Sequence, residues 1–410
     1  MGTVDGLRKL RWAESHMPVI AEIRKRFVKE QPFRGIRIGM ALHVEAKTGV
    51  LAVLLKQGGA TVSLSSCNPL SSDDEVIAAL RETYAIDVHG RRGESREEYY
   101  NNLNSVLDTR PQLIIDDGGD LTRMLHKERS EEAANVIGGN EETTTGVNRL
   151  RAMEKSGILR FPMFDVNDAV MKHFFDNRYG TGQSALEGLM VSTNLLFAGK
   201  SAVVAGYGFC GKGIASRLRG MGALVTVTEV DPRKAVEAAM DGFYVSRIRD
   251  ALKNADFVVT ATGMKDVITY SDLLTAKPGL VLANAGHFDN EIQVAELESR
   301  SISREDVRRN VRRYTLENGN FVDLISDGRL VNLASGQGHP VEIMYMSFAI
   351  QALVAEYIIK NREKLDRKLY PVPEEIDLHV AGIKLSSLGI EIDRLTEKQY
   401  AYMNSWEEGT

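Results

Sequence analysis

Cysteine is almost missing from this chain: two residues in 410, Cys67 and Cys210. Two thiols cannot staple a secreted fold, and neither has Cys or His neighbours at zinc-ligand spacing. A disulfide scaffold and a bound metal are therefore not expected, and a reducing, cytoplasmic location is. Net positive charge is missing too. Lysine plus arginine number 51 against 56 aspartate plus glutamate, a formal charge of -5, which offers no general attraction to nucleic acid or to an anionic membrane. The Arg-rich stretch Arg304 to Arg313 also carries Glu305 and Asp306 and reads as a solvated helix face. No unbroken apolar run is long enough to span a membrane. The best, Ile343 to Ile359, is interrupted by Ser347, Gln351 and Glu356 and reads as a buried helix. The amino terminus lacks the apolar core of a signal peptide, and the residues after Gly2 lack the Ser or Thr of a myristoylation site. What remains is an ordinary globular composition, 43% hydrophobic and 26% charged, at a length that suits two or three domains.

Three of the 36 glycines stand in an informative place. The apolar strand Val203-Val204-Ala205 runs into Gly206-Tyr207-Gly208-Phe209-Cys210-Gly211, a helical stretch from Lys212 to Met221 follows, and a second strand runs from Leu224 to Glu229. Each glycine is needed for a different physical reason. Gly206 permits the tight turn, Gly208 lets backbone N–H groups approach a pyrophosphate, and Gly211 allows helix to pack on strand. Glu229, about twenty residues on, can accept both ribose hydroxyls and repel a 2′-phosphate, which selects NAD over NADP. A glycine-rich turn with no ligand is the plain alternative, and the ordered sequence of strand, loop, helix, strand and acid argues against it.

This fingerprint begins only near residue 200, so something else fills the first half. Strands are expected at Ile36 to Leu42, Thr61 to Leu64, Ile86 to Val88 and Leu113 to Ile115, with helices such as Ser72 to Tyr84 and Arg96 to Leu107 between them. The alternation predicts an α/β protein of two Rossmann-like, doubly wound parallel-sheet domains, with ligands beyond the carboxyl ends of the strands. The expected division is 1–180 for a substrate domain, 181–338 for the NAD domain, 339–385 for a return to the first domain and 386–410 for a short terminal segment.

Polar residues at strand ends then become candidates for chemistry. Taken singly each has a duller reading. Lys172 and Asp176 at i,i+4 resemble a surface helix pair, His43 and His287 could be structural histidines, and Asp117 before two glycines could be a turn. Glu142 with Thr143 could be a helix cap, and His339-Pro340 a helix start. Their company is more specific. Leu42-His43, Ser66-Cys67-Asn68-Pro69-Leu70-Ser71, Asp116-Asp117-Gly118-Gly119-Asp120-Leu121 and Glu141 to Gly146 come first. Asn167-Asp168, Lys172 with Phe175-Asp176-Asn177, the glycine loop, Gly286-His287-Phe288-Asp289, Gly328 to Leu333 and Gly338-His339-Pro340 follow in order. With these motifs the chain resembles the S-adenosylhomocysteine hydrolase family along nearly its whole length.

The resemblance implies a hydrolase that opens the thioether of a nucleosyl-homocysteine by transient oxidation of the 3′-hydroxyl, using one tightly held NAD per subunit. It implies that Lys172 and Asp176 manage the 3′-hydroxyl proton, Asp117 the C4′ proton, and His43 and His287 the departing thiol and entering water. Glu142 and His339 would orient ribose and homocysteine, with Asn332, Leu333, Met344 and Phe348 also at the substrate. Thr143, Thr144, Thr145, Asn177, Phe209, Cys210, Glu229, Thr262, Gly286, His287 and Asn332 would join Gly206, Gly208 and Gly211 at NAD. Hinges would lie at Gly180 to Ser184 and at Gly338 to Pro340, and the working form would be a homotetramer. A lysine base needs its pKa lowered, and a carboxyl acid or base needs it raised.

Two features depart from the family pattern. After His43 the chain has Glu45 and Lys47 where the family commonly faces adenine with Thr and an acceptor. Hypoxanthine presents an O6 acceptor and an N1–H donor, which Lys47 and Glu45 would complement, so S-inosyl-L-homocysteine is the expected substrate. A surface Glu–Lys pair with no role is the alternative. The chain also ends at Thr410, soon after Lys398-Gln399-Tyr400, so a tail reaching a neighbouring subunit's NAD is not expected.

Overall fold

Alternating strands and helices run the length of the chain, described over residues 2–407 in a computed structural model. Short runs form the strands, the central ones of each sheet mostly apolar, such as Leu113–Asp116, Ser201–Ala205 and Leu280–Asn284. In chain order they are β1 (Arg37–Ala41), β2 (Thr61–Ser65), β3 (Asp87–His89), β4 (Leu113–Asp116), β5 (Gly138–Glu141) and β6 (Met163–Asp165). Then come β7 (Ser201–Ala205), β8 (Leu224–Thr228), β9 (Tyr244–Val245), β10 (Phe257–Thr260) and β11 (Leu280–Asn284). The last are β12 (Ser303–Arg308), β13 (Val311–Thr315), β14 (Phe321–Ile325) and β15 (Leu369–Pro371).

The first sheet has the order β15-β6-β5-β4-β1-β2-β3 and is parallel throughout. The chain builds outward from β1 to one side, then restarts at β4 on the other. That reversal opens a crevice beyond the carboxyl ends of β1 and β4, where Leu42-His43 and Asp117 emerge. The second sheet, β12-β13-β14-β11-β10-β7-β8-β9, has the same reversal between β7 and β10, placing the Gly206 loop beside Thr262.

The second sheet is mixed rather than wholly parallel. Arg304 to Arg313, expected as a helix face, forms most of the antiparallel pair β12–β13, and β13 runs antiparallel to β14. The reason lies in its turn and its pairing. Arg308 pairs with Val311, leaving a two-residue hairpin loop closed by Asn310 at φ 63°, a conformation asparagine tolerates well. Arg312 reaches Asp306 at 2.8 Å and Arg313 reaches Asp323 at 2.8 Å, so the charges neutralise across strands rather than along a helix.

The apolar segment near 350 forms a 21-residue helix, Val341–Asn361. It is long and apolar enough to cross a membrane by composition, but 72% of its most apolar window is buried within the protein, in the core of the first sheet. Each interrupting polar residue contacts another part of that unit. Ser347 donates to Asp176 at 2.8 Å, Glu356 takes two bonds of 2.6 Å from Arg26, and the backbone carbonyl of Gln351 accepts from Asn140 at 3.2 Å while its side-chain amide has no hydrogen-bond partner among the described residues. The chain then adds β15 to the edge of the first sheet. It continues through helices Glu374–Ser387 and Glu397–Met403, the latter wholly exposed; residues 408–410 of the expected terminal segment lie outside the described residues.

Candidate functional site

The two sheet crevices open into one cavity of about 1240 Å³. From the first sheet come His43, Glu45 and Lys47 after β1, Asp117 after β4, and Glu142 with Thr143, Thr144 and Thr145 after β5. The segment 172–177 adds Lys172, Asp176 and Asn177; Asn332, Leu333, His339, Met344 and Phe348 close the wall. From the second sheet come Gly206, Gly208, Phe209 and Cys210 after β7, Glu229 after β8, Thr262 after β10, and Gly286 and His287 after β11. Of the residues expected at the site, Gly211 alone does not line the cavity. It packs behind the loop, where an added Cβ would stand 1.9 Å from the Gly206 carbonyl oxygen.

Lys172 ends a short α-turn, and residues His173–Gly180 continue as a π-helix. Lys172 and Asp176 are therefore not a surface pair; both are buried. The Lys172 ammonium donates to Asn177 Oδ1 at 2.8 Å and lies 3.5 Å from both Glu142 and Asp176. Burial alone would discharge it, but Asp176 and Glu142 outweigh burial and hold it above the ordinary lysine range. The lowered pKa that a lysine base requires is thus absent from this arrangement. Asp176 shows the converse: burial opposes its charge, yet Lys172 and His339 hold it well below the usual carboxylate range, with His339 Nδ1 3.1 Å away. Glu142 is pushed up to about 8 by burial, against the pull of Lys172.

Asp117 stands between two histidines, 3.4 Å from His43 Nε2 and 3.5 Å from His287 Nδ1. His287 arrives from the second sheet and fits because residue 118 is glycine; a Cβ there would stand 2.2 Å from His287 Nε2. Burial drives His43 down to about 4, only partly offset by Asp117, so its imidazole is neutral near pH 7. Glu45 caps the helix Ala46–Gln57, accepting from Lys47 N at 2.9 Å and Thr48 N at 3.4 Å. Its carboxylate also meets the Lys47 ammonium at 2.8 Å, and that ammonium donates to the Gln337 carbonyl at 3.0 Å.

The glycine loop fits a dinucleotide. Gly206 takes φ 98°, where a side chain would be strained and its Cβ would meet the Ala261 carbonyl at 2.7 Å. A Cβ on Gly208 would meet nothing within 4 Å, so the first turn of the helix Phe209–Gly220 opens on free space with no side-chain cap. Such a turn offers unpaired N–H groups to an anion. Glu229 accepts from Tyr207 N at 2.7 Å, Val230 N at 2.7 Å and Asp231 N at 3.0 Å. These bonds hold it ionised against burial and leave about one lone-pair site for a ribose hydroxyl.

Some participants carried no usable sequence signal. Glu291 lies outside every motif used above, yet its buried carboxylate accepts from Thr262 N at 3.0 Å, Thr262 Oγ1 at 2.7 Å and Gly263 N at 2.8 Å. Thr181, expected only within a hinge, meets His339 Nε2 at 3.2 Å, and Asn167, legible only as part of a motif with no role assigned, accepts from Asn177 at 3.0 Å. Ser347 was visible only as a break in an apolar run.

Two α/β units sharing one cavity, with a glycine-loop dinucleotide cradle facing paired acids, histidines and a lysine, define an NAD-dependent enzyme. Residues 3–137 match the family described as S-adenosyl-L-homocysteine hydrolase, and residues 177–338 match its NAD binding domain. The chain is 64% identical over 405 residues to the adenosylhomocysteinase of Thermoplasma acidophilum, covering 99% of each chain. It is 55% identical over 406 residues to the S-inosyl-L-homocysteine hydrolase of Methanocaldococcus jannaschii, covering 99% of this chain and 97% of that one. The chain belongs to the S-adenosyl-L-homocysteine hydrolase family, and is an NAD-dependent hydrolase of the adenosylhomocysteinase type acting on a thioether bond.

Proposed function

We propose that the enzyme prefers S-inosyl-L-homocysteine, releasing inosine and L-homocysteine. The observation that carries this reading is Lys47 in the cavity wall. Of its three ammonium donors, one meets Glu45 and one the Gln337 carbonyl, leaving one for a ring acceptor such as O6 of hypoxanthine. Adenine would present its N6 amino donor to that cation. Glu45 keeps about one free lone pair for N1–H. Mispaired buried donors cost enough that kcat/KM should favour the inosyl substrate by ~10² or more. Comparing the two substrates tests this, and equal or better use of the adenosyl form overturns it. That adenosyl reading is favoured by one observation: Glu45 and Lys47 already satisfy each other as a helix-capping pair.

Bound NAD supplies a hydride acceptor at C3′ that later returns the hydride, so no net oxidation results. The chain's own residues handle protons. Lys172 and Asp176 handle the 3′-hydroxyl proton together, Asp176 accepting the hydroxyl's hydrogen bond while the Lys172 ammonium donates to the same oxygen; neither pKa is shifted in the direction a lone base requires. Glu142, with its raised pKa, orients the ribose. Asp117 removes the C4′ proton once C3′ is a carbonyl, and His43 and His287, on either side of it, serve the leaving sulfur and the entering water. His339 orients the homocysteine portion. The residues proposed above to line the NAD site come from both units, with 1–180 and 339–385 as one domain and 181–338 as the other. The hinges are placed at Gly180 to Ser184 and Gly338 to Pro340. A cytoplasmic homotetramer completes the proposal; apolar side chains left exposed near the terminus, among them Ile392, Leu395 and Trp406, suit an assembly that sedimentation would reveal.

A further inference from the structure

Cys67 has no part in the chemistry just described, yet it lies against two of its central groups. Its sulfur is 3.3 Å from His43 Nδ1 and 3.4 Å from Asp117 Oδ2. The same Asp117 oxygen is 3.4 Å from His43 Nε2, and one donor atom from each residue falls within 4.8 Å of the others. Bonds of ~2.0–2.3 Å at tetrahedral angles put zinc ligands ~3.3–3.6 Å apart; the sulfur–oxygen edge matches this, whereas the sulfur and the carboxylate lie against opposite ring nitrogens of His43, so a single ion requires the imidazole to present one nitrogen to both neighbours.

The proton inventory points the same way. Ser71 Oγ is 3.0 Å from the Asn68 carbonyl, to which its hydroxyl can donate, and 2.7 Å from His43 Nδ1. With that hydroxyl proton on Asn68, His43 Nδ1–H donates to Ser71 and Nε2 is left bare. In that tautomer a bare Nε2 faces Asp117 Oδ2, and the only proton reaching that oxygen among the described residues comes from the Cys67 thiol. The second oxygen, Asp117 Oδ1, is buried and has no hydrogen-bond partner among the described residues. Imidazole nitrogen, thiol sulfur and carboxylate oxygen together suit a borderline divalent ion rather than magnesium or calcium.

We propose that His43, Cys67 and Asp117 form an inhibitory binding site for Zn²⁺ or a cation of similar softness. Binding forms one Zn–S bond and releases the Cys67 thiol proton to solvent, with no oxidation or reduction. The metal site stands on this geometry alone; its inhibitory effect rests on the roles proposed above for His43 and Asp117.

The test uses the NAD-loaded enzyme titrated with Zn²⁺ by calorimetry and with Cd²⁺ by thiolate-to-metal ultraviolet absorption, beside turnover. One ion per chain should bind, the band should appear, and turnover should fall and recover with chelator. Cys67→Ser should keep its turnover but bind at least ~100-fold more weakly, since even outer-shell losses cost 10–100-fold. X-ray absorption at the zinc edge of the native enzyme gives a check that needs no variant, with one sulfur among nitrogen and oxygen neighbours expected. Absence of stoichiometric binding, an unchanged cadmium band in Cys67→Ser, or a zinc shell without sulfur overturns the site. Binding with intact turnover overturns the inhibition, and would count against the proposed roles of His43 and Asp117 rather than against the site.

Discussion

Asp176 is held as a charge in the cavity wall by three neighbours, Lys172, His339 and Ser347. Asp176→Asn keeps the shape and removes the acceptor. It should lower kcat by ~10²–10⁴, while NAD measured after denaturation stays near one per chain; full turnover in the variant would remove Asp176 from the proton path. Glu291 acts at one remove, through the Thr262–Gly263 loop. Glu291→Ala leaves two backbone N–H groups without their acceptor, a cost of ~1–3 kcal/mol each where they are buried. We expect NAD affinity to fall at least ~10-fold with kcat at saturating NAD little changed, and rescue by Glu291→Gln. An unaltered NAD affinity would mean the loop holds itself.

His43 gives a residue-scale prediction with a sign. Folding moves its pKa from 6.5 down to about 4, so the unfolded chain takes up the proton first. The resulting stability is fully present above pH 6.5 and is lost as pH falls toward 4. Relative to His43→Asn, the native enzyme should therefore lose about 1–2 kcal/mol between pH 7 and pH 5. Urea unfolding of both proteins at the two pH values measures it, and parallel behaviour would show that the imidazole is not held neutral.

At the scale of elements, legibility followed chemistry more than pattern. β7 was readable because apolar residues end in spaced glycines, and β1, β2 and β4 because they are apolar runs bounded by polar turns. β5 was not readable: Gly138-Gly139-Asn140-Glu141 contains no apolar side chain, and it is a strand because β4 and β6 clamp it on both sides. Gly139 also has Met163 and Ile114 within 3.1 Å of any added Cβ. The π-helix at His173–Gly180 escaped for a related reason, since five-residue hydrogen bonding leaves no signature in a 3.6-residue period. It turns Lys172, Asp176 and Asn177 into the cavity and delivers the chain to the helix Thr181–Thr193. That junction rests on glycine: a Cβ on Gly213 would stand 1.8 Å from the Arg178 carbonyl oxygen, and one on Gly182 would stand 2.8 Å from Gly213. Gly213→Ala should cost ~1–3 kcal/mol of stability and raise the KM for substrate by shifting the π-helical segment. A thermal midpoint and KM both equal to those of the native enzyme would show that the junction yields freely.

For the whole molecule, the decisive fact is that neither sheet completes the cavity. Lys47 of the first unit donates to Gln337, Arg92 donates to the Ala334 carbonyl at 2.8 Å, and His287 of the second unit lies against Gly118 and Asp117. The sequence shows two ligand-binding crevices; it cannot show that their open ends face one another, because that depends on contacts between residues more than a hundred positions apart. If NAD is held from both sides, its binding must stabilise both units together. At a free concentration of 100 times Kd the gain is ~2.7 kcal/mol, which amide hydrogen exchange can assign by position. Saturating NAD should slow exchange at the amides of residues 208–212, beside the glycine loop, and equally at Thr144 to Gly146, which belong to the other sheet. Glu229→Lys should abolish both effects at once, although Glu229 lies far from Thr144 in sequence and in a different sheet. Protection confined to residues 208–212 would mean that the first unit binds substrate without gripping the cofactor, and the shared cavity would then be a matter of proximity alone.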